Sequence, residues 1–187
     1  MSDDDIGNFF KAENFDKEDD NEGEEWKPEN QYAKELFRKS IEILNLTDTI
    51  CSMLPGDEED DQFFFTQRLM KENAMIVPAK IKGAMAMDVY SLKMENAVIV
   101  KVNICQLKVQ LWSCEAIHGL EAKYVEVMRN EIESFREIFV KWVTSFDKAN
   151  DYPDEWHLFN DPSAFPDDDE PFDAKEFFDN FNPDDEE

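Results

Sequence analysis

Ala97-Val-Ile-Val-Lys-Val-Asn-Ile-Cys-Gln-Leu-Lys-Val-Gln-Leu-Trp-Ser-Cys114 is the stretch that decides the fold. Two periods compete in it. Val100-Lys-Val-Asn-Ile104 and Leu107-Lys-Val-Gln-Leu111 alternate like half-buried strands, and Val and Ile favour strands. Ala97, Val100, Ile104, Leu107, Leu111 and Cys114 instead recur at steps of 3, 4, 3, 4 and 3, which is one face of a helix. Length arbitrates. No Gly or Pro interrupts residues 91–117, a run far longer than a typical strand of about 5–6 residues. The stretch is expected to be helical. Val98, Val102, Cys105, Val109 and Trp112 form a second apolar stripe on it, and a helix apolar on two sides must bury both. One side suits the bundle and the other a neighbouring subunit.

The flanks repeat the helical signal. Upstream, a first helix is expected from about Asn30 or Gln31, after a break at Pro28. Leu36, Ser40, Ile43, Thr47, Ile50 and Leu54 share one of its faces, and Pro55-Gly56 with the acidic run 57–61 ends it. A second begins near Gln62, with Phe65, Leu69, Ile76, Ala79, Gly83, Ala86 and Tyr90 as its stripe and Glu72 intruding. Pro78 lies inside it and removes one hydrogen bond. Gly83, Ala84 and Ala86 are small enough for another helix to approach closely. Downstream of His118-Gly119, Val125, Met128, Ile132, Phe135, Phe139, Trp142 and Phe146 sustain a 3–4 repeat through a fourth helix. The expected fold is all-α, an antiparallel up-down-up-down four-helix bundle over residues 31–148.

Charge separates this unit from its ends. Residues 1–30 hold 12 acidic and 3 basic residues, and 147–187 hold 16 and 2, while 31–146 keep a net charge of only −3 out of −26. The chain therefore reads as a near-neutral core with an acidic N-terminal arm (1–30) and an acidic C-terminal arm (149–187), the arms disordered or loosely docked. A pI near 4.2 opposes direct binding to nucleic acid or anionic membrane, because phosphate binding needs Lys and Arg to displace counterions. It favours a basic protein partner, or arms that imitate a polyanion.

The arms also carry nine of the 16 phenylalanines, together with Trp26, Tyr152 and Trp156. A purely solvating tail carries few aromatics, so interleaved acid and Phe reads as a docking segment. Trp156, Phe159, Phe172, Phe177, Phe178 and Phe181 are its candidate partner-binding residues. Asp167-Asp-Asp-Glu-Pro-Phe172 resembles the acidic tip of bacterial single-stranded-DNA-binding proteins, except that there the phenylalanine ends the chain. Here 15 residues follow it.

Chemistry finds little to stand on. Glu115-x-x-His118 is half of a di-iron bundle motif, which needs a second copy and two further carboxylates. His157 has no Glu three residues before it. His118 instead suits the C-terminus of the third helix, where a cation complements the macrodipole. No arginine precedes either histidine at the spacing of a helical ribonuclease, and no Gly-rich phosphate loop, nucleophile elbow or zinc spacing occurs. Cys51, Cys105 and Cys114 form no ligand pair and read as small buried thiols of a reducing cytosol. The first residues lack the basic and apolar regions of a secretory signal, and no apolar run approaches the ~20 residues of a membrane span, so a cytoplasmic protein is expected. No enzyme activity, metal or cofactor is expected.

In order and texture, residues 31–148 resemble a bacterial four-helix-bundle family. Its members are encoded in intervening sequences of large ribosomal RNA genes and include the accessory variability proteins of diversity-generating retroelements. The likeness rests on the Leu54-Pro55 turn, Gln67-Arg68, the Ile76-Val-Pro-Ala79 stretch with Ile81 and Gly83-Ala84, Leu111-Trp112, and the aromatic fourth helix. The family's Ser-Ile-Pro-Ala-Asn-Ile-Ala-Glu-Gly is here Ile76-Val-Pro-Ala-Lys-Ile-Lys-Gly-Ala84, and its nucleic-acid-binding members are markedly basic where this core is not. The resemblance implies a ring-like homo-oligomer such as a pentamer. The leading functional expectation is an oligomeric interaction or scaffold protein whose arms bind a basic partner. The alternative is a nucleic-acid-linked accessory protein, with an RNA-binding core gated by the arms or with arms imitating nucleic acid. Lys80, Lys82 and Lys93 are its candidate contacts.

Overall fold

A computed structural model describes residues 28–54, 61–151, 156, 158 and 159. Four helices account for almost all of it: α1 Pro28–Met53, α2 Asp61–Met85, α3 Tyr90–Ala116 and α4 Ala122–Thr144. No strand occurs among the described residues. Each helix packs on its neighbour in the chain, and α1 also packs on α4, closing the set around one core. The α2–α3 contact is the most extensive and α3–α4 the least. None of the described helices is long and apolar enough to cross a membrane.

The core follows the expected seams in three helices. Leu36, Ser40, Ile43, Thr47, Ile50 and Leu54 are all buried on α1 and at its end. So are Ala97, Val100, Ile104, Leu107, Leu111 and Cys114 on α3, and Val125, Met128, Ile132, Phe135, Trp142 and Phe146 on and just after α4. Phe139 is half-buried, and its ring links Phe135 to Trp142 at centroid separations of 6.3 and 5.9 Å. The two hydroxyls in the α1 seam cost nothing, since Ser40 donates to the Phe37 carbonyl at 2.6 Å and Thr47 to that of Ile43 at 2.8 Å.

Three expectations are corrected. Pro28 is the first residue of α1 rather than a break before it, because the N–H it lacks has no intrahelical partner at that position. The buried track of α2 is Met70, Ala74, Val77, Ile81 and Ala84, not the one through Phe65, Ile76 and Ala79, which are exposed. Both tracks are apolar. Small residues occur on both, Ala74 and Ala84 on one and Ala79 and Gly83 on the other; beside the buried track, Asn73 donates to Gln110 Oε1 of α3 at 3.1 Å. Glu72 lies on the outward track, paired with Arg68 at 3.5 Å. Finally, α2 stops at Met85, and Tyr90 opens α3 instead of continuing the second helix.

The start of α3 has a cap from an unexpected place. Val89 occupies its N-cap position and supplies no side-chain hydrogen bond. The orphan N–H groups are taken up by the segment after α4: Tyr90 N–H donates to the Asn150 carbonyl at 2.8 Å, and Ser91 N–H to Asp151 Oδ1 at 3.0 Å. Asn150 returns its side-chain amide to the Asp88 carbonyl at 3.2 Å. At the other end, Gly119 at φ 69° turns the chain and Leu120 N–H reaches back to the Cys114 carbonyl at 3.0 Å.

Candidate interaction surface

The second apolar stripe of α3 faces outward. Val98 is 42% exposed, Val102 46%, Val109 68% and Trp112 60%. Cys105 is also exposed, correcting the expectation of three buried thiols; it belongs to this outer stripe and not to the inner seam. Val102, Cys105, Gln106, Val109 and Lys101 line an open concavity of about 240 Å³ at its centre. Isolated exposed apolar side chains are ordinary on a protein surface, whereas a contiguous row of them marks a surface made for contact.

The other two thiols are inert by position. Cys51 and Cys114 are buried, and desolvation of the thiolate pushes both up to about 11. Cys114 donates to Met70 Sδ at 3.5 Å. Gln67 donates its side-chain amide to the Cys51 carbonyl at 2.6 Å, tying the beginning of α2 to the end of α1.

Of the three lysines, one is buried. Lys93 is 7% exposed; its Nζ lies 2.5 Å from Glu29 Oε1 and 5.8 Å from the centre of the Phe146 ring. That ammonium is committed to holding the start of α1 and the end of α4 on the first turn of α3, so it is withdrawn from any polyanion. Lys80 and Lys82 are half-buried on α2, and Lys82 Nζ stands 5.7 Å above the Phe37 ring. Of the arm residues, Trp156 is exposed and Phe159 half-buried, while Phe172, Phe177, Phe178 and Phe181 lie outside the described residues.

Among the described residues no group of three or more His, Cys, Asp or Glu side chains is placed to hold a metal ion. Glu115 bonds instead to Arg129 at 3.4 Å. Lys39 on α1 bridges Glu42 of the same helix and Glu131 of α4, both at 2.7 Å, and these hydrogen bonds, Glu131 first, raise its pKa.

Comparison with family models, curated proteins and solved structures finds no match to this chain.

Proposed function

We propose that the chain is a non-catalytic interaction protein: a helical bundle that joins another chain through the outer face of α3 and carries acidic, aromatic arms for a basic protein partner. The observation that carries this reading is the exposed row Val98, Val102, Val109 and Trp112 on a helix whose opposite face is already in the core. Burying such a row on a partner recovers about 25 cal/mol for each Å² of apolar surface removed from water. The arms support it by composition, since acidic residues supply attraction to a basic partner and phenylalanines supply the area to hold it.

We read the helix order as up-down-up-down. Glu29 at the start of α1 and Phe146 just after α4 both meet Lys93 at the start of α3, and Gln67 near the start of α2 meets Cys51 at the end of α1. We also read residues 31–148 as a divergent member of the intervening-sequence bundle family, and the three free cysteines as suited to a bacterial cytoplasm.

A photoreactive amino acid at Val102 of the full chain, expressed in its source cell, tests the reading. A discrete protein adduct is expected there, and none from the same probe at Arg136 on the polar face of α4. Equal labelling from both positions, or none from either, removes the docking surface. For the arms, the same probe at Trp156 is expected to give an adduct that disappears when Phe172, Phe177, Phe178 and Phe181 become Ser.

A further inference from the structure

Val102, Cys105, Gln106 and Val109 stand at positions i, i+3, i+4 and i+7 of α3, and they form most of the lining of the outer concavity. Four side chains at those spacings are the hole that receives a knob from a facing helix. Trp112, the largest exposed side chain of the same stripe, stands three residues beyond Val109. Hole and knob therefore share one face of one helix. A second copy running antiparallel can seat its Trp112 in this hole while this chain's Trp112 enters its own. A parallel pair would instead set the two tryptophans beside each other and leave both holes empty.

We propose that the outer face of α3 is an isologous dimer interface whose two-fold axis passes beside Val109. The inference rests on reading α3 as a docking surface and names its occupant, a second copy of this chain. The hole is centred between Cys105 and Gln106, so filling it with the other copy's Trp112 brings the two Val109 side chains face to face. Charge along the edge of the stripe agrees with this register. Lys101 and Glu115 lie two heptads apart on one edge, and reversal of the second helix brings each Lys101 close to Glu115 of the other copy. The edge holds both signs, which a purely basic helix would meet with repulsion at Lys101 and Lys108. Lys108 lies midway, and the two copies of it approach each other at the axis. That contact opposes the dimer, so neutralising Lys108 strengthens the pairing.

Sedimentation velocity of the full chain over a wide concentration range, combined with disulfide trapping, tests this. A reversible two-chain species is expected. Trp112→Ala weakens it by at least about tenfold in dissociation constant, as the loss of a central aromatic anchor does, with unchanged helical circular dichroism. Lys108→Gln tightens it. In a Cys105→Ser background, Val109→Cys oxidises to a covalent dimer, because facing residues at the axis come within disulfide reach. Val98→Cys does not, since at about 1.5 Å rise per residue the two copies of residue 98 are roughly 30 Å apart. A larger ring such as a pentamer, or efficient trapping through Val98→Cys, overturns the antiparallel pair. A monomer at every concentration overturns it too. If that monomer still gives a Val102 photoadduct with another protein, only the self-pairing fails; if it gives none, the docking reading fails with it.

Discussion

Asp151 accepts the backbone N–H of Ser91 at 3.0 Å across sixty residues of chain, so α3 takes its helix cap from beyond the end of α4. The same carboxylate places negative charge at a helix N-terminus whose own first turn has no acidic residue. Asp151→Ala is expected to lower the unfolding free energy by about 1 kcal/mol, as removal of an N-cap does. Asp151→Asn retains an acceptor oxygen and should lose less. Urea denaturation of the three proteins checks the order.

Lys93 and Glu29 form the most buried ion pair among the described residues, with side chains 9% and 19% exposed. Removing either partner alone leaves a charge with no counterpart in a desolvated place, and should cost about 3 kcal/mol. Lys93→Met combined with Glu29→Gln should recover much of that loss, because Met keeps an apolar stem against Phe146. A double-mutant cycle on the unfolding free energy measures the coupling.

The two stripes of α3 should respond oppositely to truncation. Leu107→Ala empties a fully buried position and is expected to cost about 3 kcal/mol. Val109→Ala, on the outer stripe, should change the unfolding free energy of the dilute protein by less than about 0.5 kcal/mol. Equal costs would mean that the outer stripe is covered within the chain.

Thiol reactivity should divide the cysteines one against two. Cys105 is expected to react promptly with a disulfide reagent in the native protein, and Cys51 and Cys114 only on unfolding. Burial raises both hidden thiols to about 11, above the ordinary value near 9, so the folded state holds their protons more tightly than the unfolded chain. Their contribution to stability is complete below pH 9 and falls as pH climbs through 11, by at most about 3 kcal/mol for each thiol. The slope of unfolding free energy against pH in that window should flatten in Cys51→Ala.

With Lys93 committed inside the bundle, Lys80 and Lys82 face a net charge of −26 without it. Fluorescence anisotropy of labelled RNA or single-stranded DNA is expected to stay flat when the full chain is added at low salt. A rise that weakens steeply with salt would revive the nucleic-acid reading.

The helices that the sequence discloses well are those with one unbroken apolar seam. In α1 and α4 the 3–4 repeat has no rival, and burial follows it closely. In α3 the repeat had to be separated from an alternating pattern, and the length of the uninterrupted run made the difference. In α2 two apolar tracks compete, both with small residues, and local periodicity cannot rank them. Glu72 was the legible sign that the other track faces water. The link 86–89 contains neither Gly nor Pro, and the cap that starts α3 is supplied by Asn150 and Asp151, invisible to any local window. Lys93 misled for the same reason, since its partners Glu29 and Phe146 are distant in the chain. The outer stripe of α3 was readable directly, because apolar residues on two opposed faces leave one of them without a place in a four-helix core.

Glu29 and Asp151 are anchored on the first turn of the same helix, at Lys93 and Ser91. The two ends of the bundle's chain thus depart from neighbouring points, and almost all of the molecule's charge hangs from them: −9 within residues 1–30 and −14 within 147–187. Along the sequence the charge is lopsided, a nearly neutral stretch bounded on both sides by strongly acidic ones. Like charge adjoining Glu29 and Asp151 in the sequence opposes the contacts they make with Lys93 and Ser91, so added electrolyte should firm up these two contacts.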